Sequence, residues 1–373
     1  TILLSLFWGI VAIIAVVSVL PFSKIPHGAI RGMAFPREQL FILTALLAVV
    51  ALFWLAPEPR NYALATLAII GAIHTGYIVK FTPLWPRQSV DATPEQAADA
   101  RNRVTILASN VKQSNRQYHR LVDLIHKEDP DIATALEVDP DWVDALYDGL
   151  HDRYPHWIKV AKDNSYGVVL MSKMALSETQ VRDLLVDDVP SIRTKVAMPS
   201  GRIWRLYIVH PEPPVPNHDT KGRDGEIALV GIEASKDDVP AIVTGDLNDV
   251  AWSTTTRRFQ RLSGLLDPRV GRGFYNTFHA GIPVMRWPLD HLFHDAEFRL
   301  IRMSRLPNIG SDHFPILFSL ALTDNAEANS IPEKSDAEER VYRRQRTRLW
   351  PVRLSADRPR AYAATVTSLE TTC

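Results

Sequence analysis

Ala241-Ile242-Val243-Thr244-Gly245-Asp246-Leu247-Asn248 is the stretch whose reading decides the fold. Ala241–Thr244 is small, apolar and β-branched, which predicts a buried strand, and it runs straight into a glycine, an acid and an amide. Residues two apart on an extended segment point to the same face, so Asp246 and Asn248 leave the strand end side by side. One such pair more often builds a turn than a site. Repetition along the chain overturns that bland interpretation. Val104–Ser109 predicts a strand running into Asn110, Ile132–Leu136 one running into Glu137, and Ile203–Val209 one running into His210. Leu289–Phe293 carries Asp290 and His291 near its start, and Ser311-Asp312-His313 stands just before the strand predicted at Pro315–Leu320. Polar residues gathered at strand ends share one rim, where a rigid scaffold holds side chains over a crevice.

Working outward, Gly167–Met171 predicts a further strand, and amphipathic helices separate the strands. Asn115–Lys127 puts Tyr118, Leu121, Val122 and Ile125 on one face and is stopped by Pro130; Trp142–Leu150 and Glu226–Ala234 are similar. Residues 103–322 are therefore expected to form one domain of stacked α/β layers. His119, His126 and His151 lie on predicted helices without metal-binding spacing and are expected to face solvent, while His291 and His294 flank a strand as structural residues. The segment Pro211–His218 is stiff and proline-rich and reads either as the edge of a cleft or as a rigid connector.

The first eighty residues have another character. Ile2–Leu20, Leu40–Ala56 and Tyr62–Val79 contain no Asp, Glu, Lys or Arg, and each approaches the roughly 20 residues needed to cross a bilayer. A cleaved signal peptide would account for the first run alone, but two more follow without a small-residue cleavage site. We therefore expect residues 1–80 to be a three-span membrane anchor, 81–102 a linker, and 323–373 a polar, disordered tail with a basic cluster at Arg343, Arg344, Arg346 and Arg348. Lys24, Arg31 and Arg37 in the first loop outnumber Arg60 on the other side, which by the positive-inside rule predicts a cytoplasmic domain. Lys plus Arg and Asp plus Glu balance at 42 each, so no global basic field announces nucleic acid as partner. The lone cysteine, Cys373, excludes an internal disulfide. Spans without intramembrane charge or internal repeats exclude a transporter.

Taken in order, Asn110, Glu137, His210, Asp246-x-Asn248, Asp290 and Ser311-Asp312-His313 resemble the endonuclease/exonuclease/phosphatase superfamily, which includes deoxyribonuclease I, apurinic endonucleases, neutral sphingomyelinases and inositol polyphosphate 5-phosphatases. The words Trp252-Ser253, Thr277-Phe278 and Arg286-Trp287-Pro288-Leu289-Asp290-His291 look most like bacterial membrane members with three N-terminal spans. The resemblance covers about residues 103–322 and implies a four-layer α/β sandwich preceded by three transmembrane helices, in a bacterial plasma membrane. That subgroup's basic residues would put the domain outside the cytoplasm, against the charge count.

The resemblance also implies roles. Glu137 would be the principal carboxylate ligand of Mg²⁺ or Mn²⁺, with Asn110 and Asp312 in support; magnesium keeps waters and needs few protein ligands. Asp246 would orient or deprotonate the attacking water, Asn248 would hold phosphate or nucleophile, and His313, paired with Asp290, would stabilise transition-state charge. His210 would bind phosphate or protonate the leaving oxygen; apurinic endonucleases have tyrosine there, which argues against that repair activity. Ala135-Leu136-Glu137 and Leu247 depart from the commoner Leu-Gln-Glu and Gly-Asp-Phe-Asn without removing a catalytic group. The expected substrate is a phosphate ester, either nucleic acid or a phospholipid head group, with no obligate protein partner. Arg257, Arg258, Arg261, Arg269 and Arg272 in one region leave the nucleic-acid option open. The competing class is an inactive membrane scaffold, whose mark would be a missing metal-binding or water-activating residue; none is missing.

Overall fold

The structure is a computed structural model that describes residues 2–23 and 25–332; the expected basic cluster at 343–348 lies outside the described residues. Three helices, α1 (Ile2–Val19), α3 (Arg37–Trp54) and α4 (Pro57–Ile78), are long and apolar enough to cross a membrane. A short helix, α2 (Gly28–Gly32), lies in the loop between α1 and α3. Phe7, Val11 and Ile14 of α1 pack against Leu47 and Ala51 of α3 and Ala63, Leu67 and Ile70 of α4. Most of the remaining apolar surface points outward, with Ile13, Ile42, Leu46, Phe53 and Ile69 all exposed. An apolar exterior of this kind is compatible with an apolar surrounding. Inside this bundle Ser18 Oγ lies 3.0 Å from His74 Nε2, both buried.

Residues beyond the third helix are not splayed away from the body. The short α5 (Pro94–Ala98) is closed by a capping box between Thr93 and Gln96. Gln88 Oε1 accepts the Asp267 N–H at 2.7 Å, and Asp91 bridges to Leu300.

The domain contains two sheets. Strands β1 (Arg103–Asn110), β2 (Ile132–Leu136), β3 (His156–Val160) and β4 (Val168–Ser172) join β10 (Phe298–Arg305) and β11 (Ile316–Leu322) in the order β10-β11-β1-β2-β4-β3. Strands β5 (Leu176–Asp183), β6 (Pro190–Ala197), β7 (Ile203–Ile208), β8 (Ala241–Asp246) and β9 (Asp290–His294) form the second sheet in sequence order. Alternation along each strand sends one set of side chains between the sheets and the other set outward. Val104, Ile106 and Ala108 of β1 thus meet Trp204, Leu206 and Ile208 of β7 in the central core.

On the outer face of the first sheet, Leu107, Ala133 and Val169 pack under α6 (Tyr118–Glu128) and α7 (Pro140–Leu150). On the outer face of the second, Tyr207, Val243 and Phe293 pack under α8 (Lys221–Ala234) and α9 (Thr254–Ser263). Helix, sheet, sheet and helix make the four layers that the family resemblance implies. Caps fix where the outer helices begin: Asp139 accepts the Trp142 N–H at 2.9 Å and Ser253 accepts that of Thr256 at 2.9 Å.

One buried polar knot ties β7 to the loop after α8. The Asp237 carboxylate accepts from Arg205 Nε at 3.1 Å, Arg193 Nη2 at 3.1 Å and the Tyr207 hydroxyl at 2.6 Å. Asp237→Ala leaves three donors without their acceptor, so it is expected to destabilise the protein by about 3–5 kcal/mol. Asp238→Ala, at an exposed neighbour, is expected to leave the unfolding midpoint close to the parent's. Urea unfolding of the full chain in detergent reads both.

Candidate active site

Topology brings the expected residues to one rim. β1 and β2 are parallel, so Asn110 at the end of one and Glu137 just beyond the other emerge together. β7 and β8 are likewise parallel and deliver His210 and Asp246. β9 runs antiparallel to β8 with Asp290 opposite Asp246, and β11 runs antiparallel to β1, so the Ser311–His313 segment enters at the same end. Glu137, Asn248 and Lys112 all hold positive φ, at 63°, 50° and 59°. L-residues adopt that region only when their surroundings impose it, and such residues gather at functional sites.

The side chains form one connected line. Asn110 Nδ2 donates to Glu137 Oε1 at 2.8 Å and to Asp246 Oδ2 at 3.0 Å. His313 Nε2 stands 3.5 Å from the same Asp246 oxygen, and its Nδ1 lies 2.8 Å from Asp290 Oδ2. His210 Nε2 approaches Asp246 Oδ2 at 3.9 Å from the other side, with the Tyr166 ring 5.3 Å from its own. Asp246 Oδ1 accepts the Asn248 N–H at 2.8 Å, and Asn248 Nδ2 donates to the Pro211 carbonyl at 3.0 Å. The proline-rich segment is therefore anchored to the cleft edge at its root.

Electrostatics separate the two histidines. Burial opposes charge on both. At His313 the Asp290 and Asp246 carboxylates prevail and raise its pKa to about 10, making it an imidazolium at neutral pH. At His210 burial prevails and lowers the pKa, favouring the neutral ring. Burial also raises the proton affinity of Asp246.

Two expected residues sit differently. Asn110 Oδ1 accepts the Lys112 backbone N–H at 3.0 Å, which turns the NH₂ group, not the carbonyl oxygen, toward Glu137 and Asp246. An amide NH₂ has no available lone pair for a metal, so the group that Asn110 turns toward Glu137 and Asp246 is a hydrogen-bond donor. Asp312 faces Lys112 Nζ at 3.1 Å, and its Oδ1 accepts from Ser311 Oγ at 3.4 Å, the hydroxyl that also donates to the Asn110 carbonyl at 2.8 Å. Lys112 in turn lines a cavity of about 380 Å³ with Gln113, Ser114, Arg116, Glu137 and Ser165.

Glu137 suits a hard cation. Among the described residues its two oxygens accept from Asn110 and, at 3.3 Å, the Gln113 N–H, and it borders that open cavity. Among the described residues no lysine or arginine pairs with it: Lys112 binds Asp312 and Arg116 binds Asp139. The Asp246, Asp290 and His313 ligand atoms also lie within 4.8 Å of one another, but there the His313 imidazolium already supplies the positive charge.

Sequence reasoning passed over several residues. Lys112, Gln113 and Ser165 line the cavity without belonging to any motif word. Asp249, next to Asn248, pairs with buried Arg223 at 2.7 Å, which also reaches the Asn248 carbonyl at 3.4 Å. His291 receives its partners from the Asp249 carbonyl and Arg269, a structural role as expected. His119, His126 and His151 are exposed. Arg269 is buried against Asp267 and Arg272 pairs with Asp91, so two of the five clustered arginines hold loops together.

Behind His210, Glu226 Oε1 accepts the Leu185 and Val186 N–H groups, and burial raises its pKa to about 7. A carboxyl raised on folding contributes stability below its unfolded pKa, and loses it as pH rises through the folded value. Glu226→Gln keeps an acceptor oxygen, so its stability relative to the parent is expected to rise between pH 5 and 8, by at most about 3 kcal/mol. Thermal unfolding across that range checks the sign.

The family model described as Endonuclease/Exonuclease/phosphatase family matches residues 106–313. Among solved structures, humanized D. rerio TDP2 carrying 14 mutations is similar at a TM-score of 0.51 and 16% identity, over 59% of this chain and 99% of that one. D. rerio TDP2 complexed with single-strand DNA product is similar at 0.51 and 16%, over 58% and 98%. A mannosyl-6-phosphatase of Bacteroides thetaiotaomicron VPI-5482 is similar at 0.48 and 18%, over 59% and 100%. No curated protein sequence matches the chain. At these identities the structural likeness shows the fold.

Proposed function

The chain belongs to the endonuclease/exonuclease/phosphatase family, whose enzymes hydrolyse phosphoester bonds, and from that premise we propose that it is a divalent-metal-dependent phosphoesterase anchored in a membrane by its three N-terminal helices. The observation that carries this reading is the unbroken line Glu137, Asn110, Asp246, His313, Asp290, assembled at one rim from both sheets. The resemblance to bacterial three-span members supports a plasma-membrane location.

Glu137 is the principal metal ligand in this proposal, oriented by Asn110. Asp312 is the second, because its partner Lys112 lines the same cavity as Glu137. Mg²⁺ or Mn²⁺ bound there supplies Lewis-acid neutralisation of phosphoryl charge. Asp246, whose proton affinity burial raises, accepts a proton from the attacking water. Asn248, fixed by its hydrogen bonds to Asp246 and Pro211, holds that water or the phosphate. The His313 imidazolium, held by Asp290, donates to a phosphoryl oxygen as negative charge builds. His210, kept neutral, donates a hydrogen bond on the side of the departing oxygen.

Hydrolysis of bis(p-nitrophenyl) phosphate by the full chain in detergent tests this. The reading expects turnover with Mg²⁺ or Mn²⁺ that EDTA abolishes and re-added metal restores. Turnover indifferent to EDTA, or none with Mg²⁺, Mn²⁺ or Ca²⁺, overturns it.

A further inference from the structure

The loops that carry the second sheet's half of the site are the same loops that receive the anchor. Residues 25–39, the connection from α1 together with the first turn of α3, touch all three of them. After β7, the Gly28 N–H donates to the His218 carbonyl at 2.9 Å and the Thr220 N–H to that of Pro26 at 3.0 Å. After β8, Trp252 Nε1 donates to the Ala34 carbonyl at 2.7 Å. Before β9, Asn276 Nδ2 donates to Glu38 Oε2 at 2.9 Å and Gln39 Nε2 to the Val284 carbonyl at 3.1 Å. The turn that follows α4 closes the contact, with Phe81 fully buried against the Trp252 and Phe274 rings. The end of α1, the start of α3 and the end of α4 therefore share one level, and the catalytic rim stands at it.

The loop His279-Ala280-Gly281-Ile282-Pro283-Val284-Met285-Arg286 stands at that rim with an apolar tip: Ile282 and Met285 are exposed and Val284 is 74% exposed. One root of the loop is tied to the catalytic segment, where the Ala280 N–H donates to the Asp312 carbonyl at 2.7 Å and the Phe278 ring lies 4.9 Å from that of His313. The other root is tied to the first turn of α3 through Gln39. Ile25 and Val215 add exposed apolar side chains beside the same helix ends. An apolar loop tip that continues the level of three bilayer-length helices is placed to enter the interfacial layer, where a soluble protein would carry charge. The arginines that would have lined a nucleic-acid groove include Arg269 and Arg272, which are committed to Asp267 and Asp91.

We propose that the substrate is a phosphoester in the head group of a lipid of the same bilayer, and that loop 279–286 lies in the interface as the edge over which that head group reaches the cavity of Glu137 and Lys112. This rests on the phosphoesterase reading above. Water adds its oxygen to phosphorus, the bond from phosphorus to the alcohol oxygen breaks, and a proton from water ends on the departing alcohol.

The test reconstitutes the full chain into vesicles of phosphatidylethanolamine, phosphatidylglycerol, phosphatidic acid and sphingomyelin. It follows lipid hydrolysis beside that of bis(p-nitrophenyl) phosphate and plasmid DNA, for the parent and for the Val284→Asp, Met285→Asp double variant. Lipid turnover by the parent is expected, with the ratio of lipid to soluble-diester turnover falling at least about tenfold in the variant, since a buried apolar contact is exchanged for charge. Diester hydrolysis without lipid turnover, DNA as the preferred substrate, or a ratio unmoved by the double variant overturns the lipid assignment and leaves the phosphoesterase standing. Loss of hydrolysis of every substrate by the parent defeats the phosphoesterase reading itself.

Discussion

Asp246→Asn is expected to lower kcat by about 10³-fold with little change in KM, because proton transfer by a positioned group is worth about 10²–10⁴ and acts only in the transition state. The substitution removes the acceptor for the water proton. It also reverses one contact, because an asparagine that keeps Oδ1 on the Asn248 N–H presents NH₂ where Asp246 Oδ2 receives Asn110 and faces His313. Unfolding therefore has to be measured alongside, and the prediction is read on protein that melts cooperatively. A kcat within threefold of the parent on such protein removes Asp246 from the mechanism.

The second large effect falls on the ion pair behind it. His313→Gln is expected to cost about 10²–10³ in kcat through loss of a pre-organised cation at the developing charge. Asp290→Asn is expected to follow it in the same direction with a smaller loss, since Asp246 still favours the imidazolium. A double variant no worse than His313→Gln alone is the expected outcome for a positioning residue that acts through His313. Additive losses would assign Asp290 an independent contact with substrate or metal.

Much of this geometry was legible because burial leaves a plain mark on the sequence. Ile132–Leu136 is five buried residues in a row and its strand was read to the residue. Seven of the eleven strands, the outer helices α6 and α7, and the three apolar helices follow from the same signal. Strand β5 was not visible: Leu176–Asp183 is an edge strand with mostly partial burial, so its sequence carries no alternation to read. Helix α9 opens on Thr254-Thr255-Thr256, β-branched residues that argue against a helix until the Ser253 cap outweighs them. Strands β3, β6 and β10 mix charged and apolar side chains and were passed over in the same way.

At the site, residue types and strand ends indicated which side chains meet, but not how they are turned. The orientation of Asn110 depends on a backbone N–H two residues on, and the Lys112 partnership of Asp312 crosses 200 residues. The docking of residues 25–39 on three rim loops has no sequence signature, since it is built largely from backbone carbonyls and N–H groups.

The most direct test of the central claim is a Mn²⁺ titration that follows metal binding and diester hydrolysis together in the parent and Glu137→Gln. The account predicts that the parent binds Mn²⁺ and gains activity over the same concentration range, and that Glu137→Gln, which still accepts from Asn110 and Gln113, loses both by at least about tenfold. Metal binding and activity that survive Glu137→Gln unchanged would contradict it.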